Sequence, residues 1–330
     1  MDLGVVIVNW NVRDLLAACL DSIYADLAQS AGRLTARLVV VDNGSTDGSV
    51  DMLRARFPVT PLIVSENRGM GSGNNLGLRA LGFGPSTANA PSEDTPPAAA
   101  RPAAALILNP DTLVRPGALL ALAEFLRARP RAGVAAPKLL NPDGTLQHAG
   151  FRFPGLVQMA LDLYPLPGRL GRLAQSAVNG RYPAALYESG RPFAVEHTLG
   201  AAFAVRAEAM AECGLFDEAF EMYCEEIDWQ WRLARAGWER WIVPAAEIVH
   251  YGGQSTAQVR AGSFRHLWIS RRKLYERYHS PATVAVLSRL VRGAMGRRLR
   301  QGQPADMQSA LRDIIAAWQP RRGPAGLSDA

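Results

Sequence analysis

The chain has 330 residues, 48% of them apolar, with 36 Lys and Arg against 30 Asp and Glu for a formal net charge of +6. That is enough apolar chain for one large or two moderate cores, and no apolar run is long enough to cross a bilayer, which excludes an integral helical membrane protein. The three cysteines, Cys19, Cys213 and Cys224, form no Cys-x-x-Cys pair, and no charged leader with an apolar core precedes the first strand. The expectation is a cytoplasmic protein with buried free thiols.

In chain order, residues 3–8 read as a buried strand and 14–25 as a helix carrying Leu15, Leu16, Cys19, Leu20 and Ile23 on one face. A second strand covers 37–41, a helix 48–57, a third strand 62–64, and another helix begins near Gly73. Residues 82–105, punctuated by Pro85, Pro91, Pro96, Pro97 and Pro102, are too poor in large apolar side chains to order themselves and read as a disordered insertion. A strand at 105–108, a helix at 116–128 and a strand at 134–137 follow. Residues 154–192, rich in Pro, Gly and Tyr, read as a mobile loop on the acceptor side, and beyond Pro281 the pattern is helical. Repeated strand–helix units imply a mostly parallel sheet covered on both faces.

Three acidic stations stand out: Asp42 after Val39-Val40-Val41, Asp111 in Asn109-Pro110-Asp111, and Glu225, Glu226 and Asp228 in one stretch. The first two end apolar runs, which places them at the carboxyl ends of parallel strands, where such sheets build ligand sites. With His250 in Ile248-Val249-His250-Tyr251, the set has the chemistry for a nucleotide contact, a divalent metal and a general base. Local roles compete. Asn43-Gly44 makes a turn, Asp47 caps the next helix, and acids at the start of a helix are favoured by its dipole. Gly69-x-Gly71-x-Gly73 is no dinucleotide fingerprint, because that motif follows the first strand, where this chain has Trp10-Asn11-Val12-Arg13.

The segments Val-Ile-Val-Asn-Trp-Asn at 6–11, the Asp42 run, Ser-Glu-Asn-Arg-Gly-Met-Gly at 65–71, Asn-Pro-Asp, Gly200-Ala-Ala-Phe-Ala-Val-Arg206, the acidic triplet and the His250 segment stand in an order that resembles a family-2 inverting glycosyltransferase of GT-A fold, rhamnosyltransferase-like. The resemblance runs from Val5 to about Ser255. It implies a Rossmann-like α/β catalytic domain over residues 1–255 and leaves 256–330 as a basic helical C-terminal extension.

It further implies a pyrimidine-nucleotide diphosphate sugar donor, dTDP- or UDP-linked, on Val8, Asn9, Asp42, Asn67, Gly69, Asn109 and Gly200. Mg2+ or Mn2+ would be held by Asp111 and His250, with Asn109 standing where the family has a second acid. Glu226 matches the family's catalytic Asp, Asp228 is its rival, and Glu225 completes the triplet. Trp229 and His148 are read on the acceptor side, and His197 on the donor-sugar wall. The acceptor would be a glycan or a lipid-linked glycan.

From Arg265 to Arg300 the chain has ten Arg or Lys against one acid, Glu276. This suits a solvated helix face, a pyrophosphate-bearing substrate or an anionic membrane surface, the last placing the protein peripherally at the inner face; nucleic acid fits least, because no binding module accompanies the charge. A sugar-nucleotide pyrophosphorylase would carry a basic Gly-rich loop after the first strand, which Asn9-Trp10-Asn11 lacks. A non-catalytic nucleotide-sugar-binding assembly partner is the other alternative.

Overall fold

The computed structural model describes residues 2–30, 32–84, 101–254 and 256–320. The strands are β1 (Asp2–Asn9), β2 (Thr35–Asp42), β3 (Leu62–Val64), β4 (Ala104–Leu108), β5 (Thr112–Val114), β6 (Ala132–Leu140), β7 (Leu146–Gln147), β8 (Gly150–Phe151), β9 (Phe193–Val195), β10 (His197–Thr198), β11 (Ala202–Arg206) and β12 (Glu239–His250). The helices are α1 (Arg13–Gln29), α2 (Ser49–Arg56), α3 (Met70–Ala80), α4 (Ala118–Ala128), α5 (Leu156–Leu163), α6 (Ala184–Glu188), α7 (Ala207–Cys213), α8 (Glu225–Arg235), α9 (Arg260–Tyr278), α10 (Pro281–Leu299) and α11 (Ala305–Ala317).

The chain divides into two compact units. A sheet unit comprises residues 1–153 and 180–258, and a helical unit comprises 154–179 and 259–330. In the sheet unit the strand order is β3-β2-β1-β4-β11-β6-β12-β5, with β7 on β6 and β9 on β12. Strands β1 to β4, β6 and β12 run parallel, while β11 and β5 are antiparallel insertions. Leu3, Val5, Val6 and Ile7 of β1 are all fully buried. A strand apolar on both faces is the mark of a sheet covered on both sides. Helix α3 lies close on β1 and β2 because it offers glycine there: a Cβ at Gly73 would stand 2.8 Å from Val8 Cγ1.

Residues 85–100 of the expected insertion lie outside the described residues. Its ends are packed: Phe83 is buried, Arg101 lies over its ring at 5.8 Å, and β4 already opens at Ala104. The three-residue β5 was not expected: it follows directly on Asn109-Pro110-Asp111, which reads as a turn, and it pairs antiparallel with β12 far along the chain.

The helical unit corrects the reading of 154–192 as one loop. Its first part forms α5 and two 3-10 segments, and Met159 and Leu163 of α5 are buried with Trp268, Leu287, Val291, Met295 and Trp318. Burial of each such side chain stabilises by about 1.5–3 kcal/mol, sufficient to dock a short helix that Pro and Gly otherwise disguise. Arg272, itself buried, ties α9 to the end of α11 through the carbonyls of Ala317 and Gln319, while an ion pair at 2.9 Å with Glu276 on its own helix aims the guanidinium. Among the described residues no helix is long and apolar enough to cross a membrane.

Candidate active site

Register brings the acidic stations to one edge of the sheet. Asn9 pairs with Asp42 across β1 and β2, Ile7 lies beside Leu108, and Leu108 pairs with Ala202 at the start of β11. The Asn109 amide then donates to the Ala201 carbonyl at 2.8 Å, and a Cβ added to Gly200 would stand 3.2 Å from Glu226 Cγ. On the other side β5 pairs with β12, placing Thr112 opposite His250, and the Tyr251 amide donates to the Asp111 carbonyl at 2.9 Å.

Asp111 and His250 face each other, Oδ1 to Nε2, at 3.4 Å, and both are buried. His250 Nδ1 lies 2.7 Å from Gln147 Oε1; because an amide oxygen only accepts, Nδ1 donates, and the neutral tautomer so fixed presents the Nε2 lone pair. Gln147 is held in turn by Nε2 donating to Asn141 Oδ1 at 3.0 Å. A lone pair and a carboxylate turned toward each other, with Nε2 buried and lacking a hydrogen-bond partner in the protein, form a natural receptor for a cation. Imidazole nitrogen with carboxylate oxygen suits Mn2+ or Mg2+. Among the described residues no group of three His, Cys, Asp or Glu converges, so a cation on this pair would take its further ligands from phosphate or water. Gln147 was not singled out as a positioning residue; its role depends on the two-residue β7 pairing with β6, a register invisible in sequence.

The acidic triplet begins α8, entered through Tyr223 and Cys224, both in the left-handed region at φ +65° and +68°. Two consecutive non-glycine residues there are strained, and such strain is commonly kept at functional sites. Glu225 is buried with Oε2 lacking a partner; burial first, then the neighbouring Glu226 charge, pushes its carboxyl well above the ordinary range. Burial also raises the half-buried Glu226. Both carboxyls of the pair therefore hold a proton more readily than solvated glutamates do, and Glu226, against Gly200, is the stronger base for it. Asp228 is unsuited to the rival role: it is fully buried, with Oδ2 bonded to Arg232 Nε at 3.0 Å.

Trp229 corrects its expected acceptor stacking. It is fully buried, tilted on Phe216 at 4.3 Å, and donates Nε1 to the Gly214 carbonyl at 2.8 Å, so neither ring face meets solvent. The half-buried aromatic of α8 is Trp231, stacked on Phe153 at 4.2 Å. His197 belongs to the same column, between Phe151 at 5.6 Å and Phe153 at 5.8 Å; burial lowers its pKa to about 4, so it stays neutral. His148 is half-buried, edge-on to Tyr187 at 5.8 Å, with its pKa lowered by burial and by Arg181.

On the expected donor side, Asp42 has no exposed surface. Its Oδ1 accepts from the Ser45 amide at 2.8 Å and Oδ2 from Asn9 Nδ2 at 2.9 Å, so here it braces two loops rather than facing a base. The brace continues through Asn11 Oδ1, which accepts from the Thr46 amide at 2.7 Å, and Asp47 Oδ2, which accepts from the Arg13 amide at 2.8 Å. Asp47 Oδ1 also takes the Ser49 amide at 3.0 Å, but the N-cap of α2 is Gly48, so Asp47 holds the first helical amide from one residue before the expected capping position. Val8 and Asn9 are buried, and Asn9 Oδ1 lacks a partner. Gly69, at φ +95°, makes a close approach to the chain itself: a Cβ would overlap the Glu221 carbonyl. Asn67 is exposed and accepts from the Gly69 amide at 3.1 Å.

With this geometry in hand, three comparisons bear on identity. The sequence profile described as Glycosyltransferase like family 2 matches residues 2–269. The N-acetylglucosaminyl-diphospho-decaprenol L-rhamnosyltransferase of Mycobacterium tuberculosis, in strains CDC 1551 / Oshkosh and ATCC 25618 / H37Rv, is 30% identical over 222 residues, which are 67% of this chain and 68% of that protein. The crystal structure of GalNAc-T7 with UDP, GalNAc and Mn2+ superposes with a TM-score of 0.57 at 13% identity; the match covers 96% of this chain and 56% of that one, a likeness of fold alone.

Proposed function

The chain belongs to the glycosyltransferase-like family 2, and we propose that it moves a hexosyl group, with rhamnosyl the first choice, from a dTDP- or UDP-linked donor to a hydroxyl of a lipid-linked glycan, with inversion. The relative's name motivates the sugar and the acceptor, since it describes rhamnosyl transfer to N-acetylglucosaminyl-diphospho-decaprenol. The observation that carries the reading is the orphaned His250 Nε2 facing Asp111 on the same sheet edge as the Glu225–Glu226 pair.

In this reading Glu226 accepts the proton of the acceptor hydroxyl as that oxygen attacks the anomeric carbon and the bond from that carbon to the diphosphate oxygen breaks. Burial disfavours the charged form of Glu225, which lessens its repulsion of the negative charge developing on the attacking oxygen. A divalent cation held by Asp111 and His250 would neutralise charge on the departing diphosphate. Gln147 keeps His250 in the tautomer that presents Nε2. The Asn109 main chain is committed to Ala201 and to the Thr112 hydroxyl at 2.7 Å, which leaves its side-chain amide for ribose or phosphate.

The test is a panel of nucleotide sugars scored by thermal stabilisation with and without Mn2+, followed by transfer to a polyprenyl-diphosphate-linked N-acetylglucosamine. A pyrimidine-linked donor should raise the Tm more with Mn2+, and the product should have the inverted anomeric configuration. Preference for a purine donor, a retained anomer, or no stabilisation by any donor would overturn the corresponding part.

A further inference from the structure

We propose that the helical unit docks on an anionic phospholipid bilayer through the aliphatic segment 156–178 and the cationic face of α10. The proposal rests on the lipid-linked acceptor reading for its purpose and on charge and exposure for its surface. Counted over the sequence, the helical unit has sixteen Arg or Lys against five Asp or Glu, a net +11, whereas the sheet unit has twenty against twenty-five, a net −5; together these give the +6 of the chain. The positive field is therefore segregated on less than a third of the residues.

Not every cation of the basic stretch faces outward. Arg265 pairs with Asp313 at 2.8 Å, Arg271 with Asp162 at 2.6 Å, and Arg272 is buried. Arg289, Arg292 and Arg300 are exposed and pair with no acid among the described residues; helical spacing puts them on one face of α10 with the exposed Val286, opposite the buried Leu287, Val291 and Ala294.

The aliphatic half of the surface comes from α5 and the two 3-10 segments that follow it. Among the described residues ten large hydrophobic side chains are exposed, and seven lie in the helical unit. Five of these, Leu156, Val157, Leu166, Leu170 and Val178, fall within 156–178, up to 58% exposed at Leu170. The one acid of that stretch, Asp162, is already held by Arg271, while Arg172 is exposed. Aliphatic side chains scattered singly on a surface need no explanation; five in one short stretch of a strongly cationic unit have the composition of an interfacial segment. The aliphatic groups would enter the headgroup boundary and the guanidinium groups would sit on lipid phosphates. A second copy is the weaker occupant, because two faces of the same strong positive charge repel. Nucleic acid would use the cations and leave the aliphatic side chains in water.

The experiment is flotation of the full chain with phosphatidylcholine vesicles, with and without phosphatidylglycerol and free of any acceptor, at low and high salt. Binding is expected to the anionic vesicles alone and to weaken with salt. Arg289→Glu with Arg292→Glu should lower partitioning by about 25-fold or more, on the basis of about fivefold for each cation lost. Val157→Asp with Leu170→Asp should lower it even at low salt. Equal binding to neutral vesicles, variants indistinguishable from the parent, or dimerisation in place of flotation would each overturn the proposal. If a variant fails to melt cooperatively, hydrogen exchange of the parent decides: vesicles should slow exchange in 156–178 and α10, and unchanged exchange there would refute docking. Donor-dependent stabilisation measured on the same preparations keeps a failure of the lipid surface distinct from a failure of the transferase reading.

Discussion

His197 makes the acid stability of this protein calculable. Its imidazole is buried between Phe151 and Phe153, and that burial lowers its pKa from 6.5 to about 4. The folded state therefore binds this proton less readily than the unfolded chain. The stabilisation is fully present above about pH 6.5 and is lost as pH falls through the folded value near 4. A gap of about two and a half pH units, at about 1.4 kcal/mol each, amounts to about 3 to 4 kcal/mol, a large share of the 5–15 kcal/mol typical of a domain. Carboxylates also titrate in this window, so the assay is a comparison. Urea unfolding of the parent and of His197→Phe is followed from pH 7.5 to 3.5; phenylalanine keeps a ring in the column and cannot be protonated. The variant loses the Nδ1 contact to the Thr198 carbonyl, worth about 1 kcal/mol, although Gln230 still donates to that oxygen at 3.1 Å. The parent's advantage should shrink and reverse on acidification by about 3 to 4 kcal/mol in total. An advantage that stays constant across the range would refute the argument that burial holds His197 neutral.

Three further outcomes are expected. Glu226→Gln should retain donor binding and lose transfer by about 10^2- to 10^4-fold, and the acid limb of the parent's pH–rate profile should lie above the ordinary carboxylate range because the base must be ionised and burial has raised it. Gln147→Leu should weaken Mn2+-dependent binding of UDP by about 10- to 100-fold in calorimetry, with metal-free binding little changed, since only the tautomer and aim of His250 are disturbed. Gly69→Ala should cost about 3 kcal/mol by thermal or chemical unfolding, because it meets both a positive φ and the Glu221 carbonyl.

The parallel sheet and the gathering of Asp111, Glu226 and His250 at one edge were legible because they depend on local facts: apolar runs that end in an acid, and a chain order shared with a family. What was not legible depends on partners distant in sequence. Trp229 reads identically whether it faces a sugar or Phe216, and only the packing of α8 decides. Asp42 was placed correctly at a strand end, yet its carboxylate is consumed by Asn9 and Ser45, a bracing that requires β1 and β2 to be aligned first. Helix α5 was hidden because its apolar face is answered by α10, more than a hundred residues later.

That last arrangement governs how the protein can be made and cut. Tyr164 donates to the Leu290 carbonyl at 2.9 Å and Tyr275 to the Gly155 carbonyl at 3.0 Å, so one small core is stitched from two stretches that leave the ribosome far apart in time. At about 5–20 residues per second, α5 waits on the order of ten seconds for α10, with Met159 and Leu163 uncovered meanwhile. Removing everything after Gln258 would perpetuate that nascent state, turning residues 154–179 from a packed strut into an adhesive strand of chain. A functional sheet unit prepared alone therefore needs two excisions, one at its end and one in its middle, where Phe153 and Gly180 lie close enough to be rejoined: the Arg152 amide already donates to the Gly180 carbonyl at 2.8 Å.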